Sequence, residues 1–349
     1  MSTYSDLILF SALIAVIAFS VTALLGFVLI PWLRKLKIGQ TILDIGPSWH
    51  KSKEGIPTMG GIMFVAGSVI AIIIFVVLAS AFQSGGFLQN LSGILRKNAE
   101  LFIGILMALL FGLVGFLDDY IKVVKKRNKG LGVRQKTVLQ VLIISGYLVA
   151  LWFIKNGAVQ MWVPFAGMVT MPAWAFFPFG FGVLYAATNA VNFTDGIDGL
   201  CSSVTATAAA AFTVLAIAVS RMSFVASSAL LGACLGFYCW NRKPAKVFMG
   251  DTGSMFLGGM VVALAYALNA PIILLFFGLI YVIEGLSDVL QIGYFKLTHG
   301  KRIFKMAPIH HHFEMSGWSE KKIVAVFCAV NLIGVAAGFL LLKYCGYDF

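Results

Sequence analysis

The chain contains apolar runs long enough to cross a lipid bilayer, and this feature limits its possible folds more than any other. Residues 7–30, 59–82 and 322–342 each exceed 20 residues and hold few charges. A helix rises 1.5 Å per residue, so about 20 residues cross a hydrocarbon core of about 30 Å. Lipid offers no hydrogen bonds to the backbone, and such runs must therefore be helical. The sequence predicts an all-α polytopic membrane protein whose main partner is the lipid bilayer.

Composition agrees with a membrane protein. The 349 residues are 60% hydrophobic and 11% charged, and the mean hydropathy is +0.93, far from the balance of a soluble domain. The first apolar run is not a cleavable signal, because residues 1–6 carry no basic charge and Arg34, Lys35 and Lys37 follow the run. The five cysteines lack CxxC or Cys/His spacing, so neither a disulfide framework nor a zinc site is indicated.

We predict about ten transmembrane helices in a single transmembrane catalytic domain over 1–349, because the linkers are too short for a second domain. The spans are 7–30, 59–82, 100–117, 137–154, 173–190, 199–219, 224–240, 252–269, 271–295 and 322–343. With both termini outside, and with Lys322 at the start of the last span taken as inner, the inner loops hold 21 of the 26 Lys and Arg, as the positive-inside rule requires. The net charge of +12 is then a membrane feature, and no nucleic-acid partner is expected. An outer turn at 164–167 predicts a small hairpin over 159–171.

Five of the 14 acidic residues fall at the predicted inner face: Asp118, Asp119, Asp195, Asp198 and Asp251. Ionisable groups at membrane depth are costly, so this concentration on one face is a site hypothesis. Adjacent carboxylates followed by lysines, as at 118–129, suit magnesium and a diphosphate. A charged helix end held at the interface would give the same pattern.

Two further polar motifs lie at the same face. Residues 189–200 (NAVNFTDGIDGL) place amides, a hydroxyl, carboxylates and glycines in one tight turn, more than a plain connection needs. Residues 247–254 (VFMGDTGS) lead into an apolar helix, where Asp251 can cap the helix and also lie at a diphosphate-binding end.

Histidines form a fourth motif, in 307–314 (APIHHHFE). Three consecutive histidines cannot all face one direction, so a three-histidine zinc site is geometrically poor. Beside basic residues they indicate phosphate and sugar donors, although a polar loop explains them as well. Glu284, Asp288 and Gln291 share one helix face, for which a polar contact between helices and substrate binding are both open.

The four motifs, in this order, resemble those of phospho-N-acetylmuramoyl-pentapeptide transferases, within the polyprenyl-phosphate N-acetylhexosamine-1-phosphate transferase superfamily. The resemblance includes Lys53 and the PTMGG run at 57–61 and extends over nearly the whole chain. It implies Mg²⁺-dependent transfer of phospho-MurNAc-pentapeptide from UDP-MurNAc-pentapeptide to undecaprenyl phosphate, giving lipid I and UMP. It also implies a homodimer in the bacterial cytoplasmic (inner) membrane, with the active site on the cytoplasmic face.

Carried over position by position, the resemblance implies a set of site residues. It makes Asp118, Asp119, Asp251 and His310 catalytic, and the three aspartates also metal ligands. The implied substrate-binding residues are Lys53, Thr58, Lys122, Lys126, Asn189, Asn192, Asp195, Gly196, Asp198, Phe248, Gln291, His311 and His312.

Several alternatives stay open at this point. Asp118 can be a base, a nucleophile or an organiser of charge, and we hypothesise the last. A phosphate monoester has a second pKa near ~6 and is largely dianionic at neutral pH, so a base has little to remove. The rival functions are transfer from a UDP-N-acetylhexosamine without peptide, a cation-coupled transporter using Glu284 and Asp288, and a scaffold without chemistry.

Overall fold

The computed structural model describes residues 4–35, 53, 55–124 and 130–347. The helices of these residues are α1 Tyr4–Lys35, α2 Gly61–Phe82, α3 Phe87–Lys97, α4 Ala99–Val124, α5 Val133–Ile154, α6 Ala173–Thr194, α7 Leu200–Val219, α8 Arg221–Asn241, α9 Gly250–Ala267, α10 Leu274–Phe277, α11 Leu279–Leu297, α12 Ile309–Glu314 and α13 Glu320–Tyr344. A 3₁₀ turn, Pro271–Ile273, precedes α10, and two strands, β1 Gln160–Val163 and β2 Gly167–Thr170, lie between α5 and α6.

The all-α polytopic prediction is confirmed. Within the described part of the chain, eight helices are long and apolar enough to cross a membrane, and the bent α10–α11 pair would raise the number to nine. All ten predicted segments are helical, so the difference lies in α9, which is not among the eight. The first turn of α9 holds Asp251, Thr252 and Ser254, and this polar end lowers its apolar character.

The segment predicted as a span over 271–295 is helical but is not one straight helix. Pro271–Phe277 and Leu279–Leu297 meet at a bend of 87°. The side chain of Asn331, on α13, lies at the break: its amide group donates to the Phe277 carbonyl at 3.0 Å, and its oxygen accepts from the Ile280 N–H at 3.2 Å. A fully buried asparagine thus satisfies backbone groups that the bend leaves unpaired, which is what a broken helix inside a membrane requires.

Helix α9 lies at the centre of the bundle and brings its polar first turn to the end of α4. Every residue from Thr252 to Ala267 is buried, and α9 packs against α2, α4 and α6. The contact with α4 is closest at Gly115, where a Cβ would overlap the backbone of Asp251. A glycine at this position lets the two helices approach, and Asp118 and Asp119 follow one turn later on α4.

The predicted hairpin is confirmed. Strands β1 and β2 pair in antiparallel fashion, with Trp162 opposite Met168. Trp162 is fully buried, and its indole N–H donates to the carbonyl of Cys345 at 3.0 Å, beyond the end of α13. The short helix α3, which sequence analysis did not predict, carries no buried residue.

Candidate active site

Three carboxylates meet where the last third of α4 approaches the first turn of α9. The ligand oxygens of Asp118, Asp119 and Asp251 all lie within 4.8 Å of one another. Asp118 is 4% exposed and Asp119 is 2% exposed, whereas the Asp251 side chain keeps 22% of its surface. Buried like charges at this spacing repel one another, so the cluster needs cations to balance it.

The N-terminus of α9 fixes Asp119. Its carboxylate accepts from the backbone N–H of Asp251 at 3.3 Å, from the N–H of Thr252 at 3.0 Å and from the Thr252 hydroxyl at 2.7 Å. The first N–H groups of a helix have no partner within the helix and carry the positive end of its dipole. Asp119 therefore holds α4 and α9 together and has little freedom to leave its position.

Two lysines neutralise the cluster. Lys122 Nζ lies 2.5 Å from Asp118, 3.4 Å from Asp251 and 3.6 Å from Asp119, so one ammonium group contacts all three carboxylates. Lys136 Nζ, from the first turn of α5, lies 2.8 Å from Asp251. Oxygen ligands that surround a cation on several sides match the preference of Mg²⁺ for carboxylates. The donor set of these residues fits a divalent metal.

Asparagines from α6 complete this side of the site. Asn192 donates to the Asp251 carboxylate at 3.1 Å and to the Ser254 hydroxyl at 2.7 Å, so it orients Asp251. Asn189, one helical turn earlier, donates to the Tyr185 carbonyl at 2.8 Å and lies 3.4 Å from Gln140. Of the two predicted amides, only Asn192 contacts the carboxylate cluster.

The turn between α6 and α7 places Asp195 and Gly196 beside the cluster. Burial raises the pKa of Asp195 well above its usual value, and the carboxylates of Asp251, Asp119 and Asp198 raise it further. A raised pKa favours the protonated carboxyl, which donates a hydrogen bond as well as accepting one. Gly196 faces the imidazole of His310, and a Cβ at this position would overlap Nε2.

The three histidines form the start of α12 and point to different partners, as predicted. His310 is fully buried, and its Nδ1 lies 3.1 Å from both carboxylate oxygens of the buried Glu284. An ionised carboxylate only accepts hydrogen bonds, so Nδ1 donates, and Nε2 has no hydrogen-bond partner among the described residues. His311 Nδ1 lies 2.7 Å from Glu314, and His312 Nδ1 accepts from the Lys305 N–H at 3.1 Å.

Lys53 and Asp198 belong to a second, separate ion cluster. Lys53 Nζ lies 2.7 Å from Asp198 and 3.0 Å from Glu320, and Lys243 Nζ lies 2.5 Å from Glu320. Burial alone would lower the pKa of Lys243, but the carboxylates of Glu320 and Asp198 raise it above its usual value. We call these four residues the inner ion cluster. Their side chains contact one another and the backbone N–H groups of Ala245 and Asp198, so their assignment to substrate remains a prediction.

Of the remaining predicted site residues, Thr58 and Phe248 lie beside the carboxylate cluster and Gln291 lies farther away. Thr58 and Asp119 both face Gly250, and the Phe248 N–H donates to the Pro57 carbonyl at 2.8 Å, so this loop lies against the cluster. Gln291 is farther along α11, and its amide contacts the backbone of residues 303 and 304. Lys126 lies outside the described residues.

Sequence reasoning overlooked three contributors. Lys136 stands directly before an apolar run and was indistinguishable from a lysine at a membrane interface, although it contacts Asp251. Thr252 was taken only as part of a helix start, and Glu320 received no assignment. In each case the residue type was visible, but at least one partner is more than 100 positions away and no local pattern reveals it.

A helical membrane bundle with a carboxylate and lysine cluster at one end defines the class of protein: a polytopic membrane protein with a candidate metal and phosphate site. The chain matches the model of glycosyl transferase family 4 over residues 101–269, which contain the three carboxylates. Residues 53–65 match signature 1 of phospho-N-acetylmuramoyl-pentapeptide-transferase.

Curated relatives define the family more closely. The chain is 43% identical to the phospho-N-acetylmuramoyl-pentapeptide-transferase of Acetivibrio thermocellus over 332 residues, 94% of both chains. It is 43% identical to that of Listeria monocytogenes over 91% of this chain and 94% of the relative. It is 44% identical to that of Carboxydothermus hydrogenoformans over 89% and 92%. The chain belongs to the phospho-N-acetylmuramoyl-pentapeptide-transferase family.

Proposed function

We propose that this protein transfers phospho-MurNAc-pentapeptide from UDP-MurNAc-pentapeptide to undecaprenyl phosphate, forming lipid I and releasing UMP. The observation that carries the proposal is the cluster of Asp118, Asp119 and Asp251 with Lys122 and Lys136. Carboxylates that hold a metal, beside lysines that neutralise phosphate oxygens, suit displacement at a diphosphate. The family membership supports the choice of donor and acceptor.

The reaction is a displacement at phosphorus. An oxygen of the lipid phosphate attacks the sugar-linked phosphorus of the donor, and the bond between that phosphorus and the oxygen of UMP breaks. The lipid then carries the new diphosphate, and UMP leaves with the electron pair of the broken bond. Negative charge spreads over the phosphoryl oxygens in the transition state, so the site must supply positive charge in fixed positions.

Different residues of the site neutralise charge, orient the carboxylates and would bind the metal. Lys122 and Lys136 offset phosphoryl charge, and Asn192 and the N-terminus of α9 keep Asp251 and Asp119 oriented. Asp118, Asp119 and Asp251 would hold Mg²⁺, which when bound neutralises the diphosphate and favours departure of UMP. His310 directs Nε2 at the Gly196 turn, where this nitrogen can accept a hydrogen bond from the sugar nucleotide, because Nδ1 donates to Glu284.

We further propose that the site faces the cytoplasm of a bacterial inner membrane and that the protein is a homodimer. The charge distribution along the chain supports the orientation, because 21 of the 26 Lys and Arg lie in the predicted inner loops, with Lys322 taken as inner. The remaining predicted residues, Lys53, Thr58, Asn189, Asp195, Asp198, Phe248, Gln291, His311 and His312, stay as proposed contributors to substrate binding.

The test is UMP release by purified protein in detergent with Mg²⁺, undecaprenyl phosphate and a choice of donors. UDP-MurNAc-pentapeptide is expected to support release, and UDP-GlcNAc is not. Chelation of the metal should abolish release, and its restoration by added Mg²⁺ would identify the ion. Asp251→Ala should lower the rate by at least about 100-fold, because it removes a metal ligand that the site cannot replace.

Glu100→Gln is the matched control. Glu100 is a partly buried acid at the start of α4 whose partner is Lys155, at the opposite end of the helix from the site. Its variant should keep the activity of the parent protein. UMP release with UDP-GlcNAc instead would show that the enzyme uses a donor without peptide. Folded protein that releases no UMP with either donor would contradict the transferase proposal.

A further inference from the structure

A deep groove between α7, α8 and α13 lies outside the catalytic cluster. Its volume is about 980 Å³, within the range of sites that enclose small molecules. Of the residues predicted for the active site, only Asp198 reaches its lining. We call it the α7–α8–α13 groove.

The wall of the groove changes character along its length. The part toward the middle of the bundle is mostly apolar, and its lining includes the small residues Ala210, Ala325 and Cys328. Leu235 and Leu332 at its edges are 44% and 51% exposed, so the groove opens toward lipid. The apolar lining on α13 extends from Val324 to Leu332, which at 1.5 Å per residue spans about 12 Å, close to one leaflet of a ~30 Å core.

The end of the groove at the α8–α9 connection is basic. Arg242, Lys243, Lys246 and Lys321 line it together. Lys243 is neutralised by Glu320 and Asp198. Arg242, Lys246 and Lys321 are exposed, and among the described residues no carboxylate lies within ion-pair distance of any of the three. The Lys246 Nζ lies 5.1 Å from the centroid of the Trp240 ring.

We propose that the α7–α8–α13 groove binds an anionic glycerophospholipid of the surrounding membrane, with one acyl chain in the apolar part and the phosphate between Arg242, Lys246 and Lys321. The occupant follows from the chemistry of the two ends: the apolar part matches a hydrocarbon chain, and the three unbalanced positive charges match a headgroup with net negative charge. A zwitterionic headgroup would place its own cation beside those charges. The groove shares only Asp198 with the residues proposed for substrate binding, and lipid binding there does not depend on the reaction.

The experiment is native mass spectrometry of the full-length protein in detergent with equal amounts of phosphatidylglycerol and phosphatidylcholine of the same acyl chains. Retained phosphatidylglycerol should exceed phosphatidylcholine in the parent protein. In Arg242→Gln/Lys321→Gln the preference should fall by roughly tenfold to thirtyfold, because each basic residue near a membrane surface contributes about 1 kcal/mol toward an anionic lipid. Arg34→Gln/Lys35→Gln removes the same two residue types from the end of α1, outside the groove, and should keep the preference.

A second pair of variants tests the apolar part. Ala325→Trp fills the groove and should reduce binding of both lipids, whereas Ala337→Trp, at another exposed position of α13 that does not line the groove, should not.

Glycerol phosphate should fail to compete if the acyl chain is required, and its success would overturn the proposal in favour of a free-phosphate site. Displacement of the bound phospholipid by undecaprenyl phosphate would show instead that the groove binds the acceptor lipid. If Ala325→Trp lost its dimers but kept its bound lipid, the groove would be an interface between two copies of the chain. An unchanged preference in Arg242→Gln/Lys321→Gln would also overturn the proposal.

Discussion

Asp118 differs from Asp119 and Asp251 in the hydrogen-bond partners of its carboxylate oxygens. One oxygen accepts from the Leu131 N–H at 2.7 Å, and the other lies 2.5 Å from Lys122. Both oxygens are therefore next to donors that stabilise the negative charge of the carboxylate. This geometry favours the hypothesis that Asp118 organises charge.

The corresponding prediction concerns pH. Asp118→Asn should lower the rate of UMP release by about 100-fold or more, since it removes a preorganised charge from the site. The factor should be the same from pH 7 to pH 9, because the lipid phosphate is already deprotonated above its second pKa near ~6. The measurement is the ratio of parent to variant rates across this range. Recovery of the variant at high pH would show instead that Asp118 is a base.

The contact between Gly196 and the His310 ring requires a glycine at position 196. Gly196→Ala would place a methyl group against Nε2 of His310 and move the ring or the turn. We expect the rate to fall by tenfold to about 100-fold, as small misplacements of catalytic groups do, with thermal stability little changed. Gly182→Ala, on α6 in open space, is the matched control and should be active. Full activity of Gly196→Ala would separate His310 from the reaction.

At the scale of elements, the inner ion cluster connects four segments that are distant in sequence. Lys53 precedes α2, Asp198 lies between α6 and α7, Lys243 lies between α8 and α9, and Glu320 begins α13. Asp198 also accepts from the Ala245 N–H at 3.0 Å, and Glu320 accepts from the Asp198 N–H at 3.1 Å. The cluster therefore fixes the loops of one end of the bundle relative to one another.

Removing one charge from this cluster should be costly. Glu320→Gln leaves Lys53 buried with a single carboxylate, and breaking a buried pair costs about 3 to 5 kcal/mol. We expect a clear fall in thermal stability in detergent, together with loss of activity as the loops loosen. Glu100→Gln, which breaks a more exposed pair, should change stability by less than about 1 kcal/mol. Equal stability of the two variants would contradict this account.

The helices were largely predictable and their interruptions were not. Apolar length alone located all ten segments, because a bilayer demands long helices. The bend between α10 and α11 falls at Gly278, which sequence analysis passed over within an apolar run, and the Asn331 side chain that satisfies its backbone lies more than 50 residues away. Helix α3 escaped prediction because its polar residues resemble a loop.

The site was predictable in its residue types and less so in its pairings. Four polar motifs at one predicted face correctly brought Asp118, Asp119 and Asp251 together. The sequence could not reveal that Lys53 and Asp198 pair with each other, or that Gln291 contacts the 303–304 backbone. Such pairings depend on tertiary contacts between helices and not on spacing within one motif.

At the scale of the whole molecule, the orientation in the membrane is the main prediction. With Cys239, the exposed native cysteine, replaced by Ser, Asn156→Cys and His299→Cys supply exposed thiols in the α5–β1 connection and after α11. An impermeant maleimide added to intact cells should label Asn156→Cys and should reach His299→Cys only after permeabilisation. The reverse pattern would place the active site on the outer face.

The distance along the chain between Lys53 and Glu320 has a consequence for biosynthesis. The two residues are 267 positions apart, so Lys53 emerges and enters the membrane region long before its second carboxylate is made. Until α13 is made, Lys53 and Lys243 have only the carboxylate of Asp198 between them, which leaves one positive charge of the inner ion cluster unbalanced. Completion of the last helix therefore supplies the second carboxylate, and a chain that terminates before residue 320 should be less stable than the full-length protein.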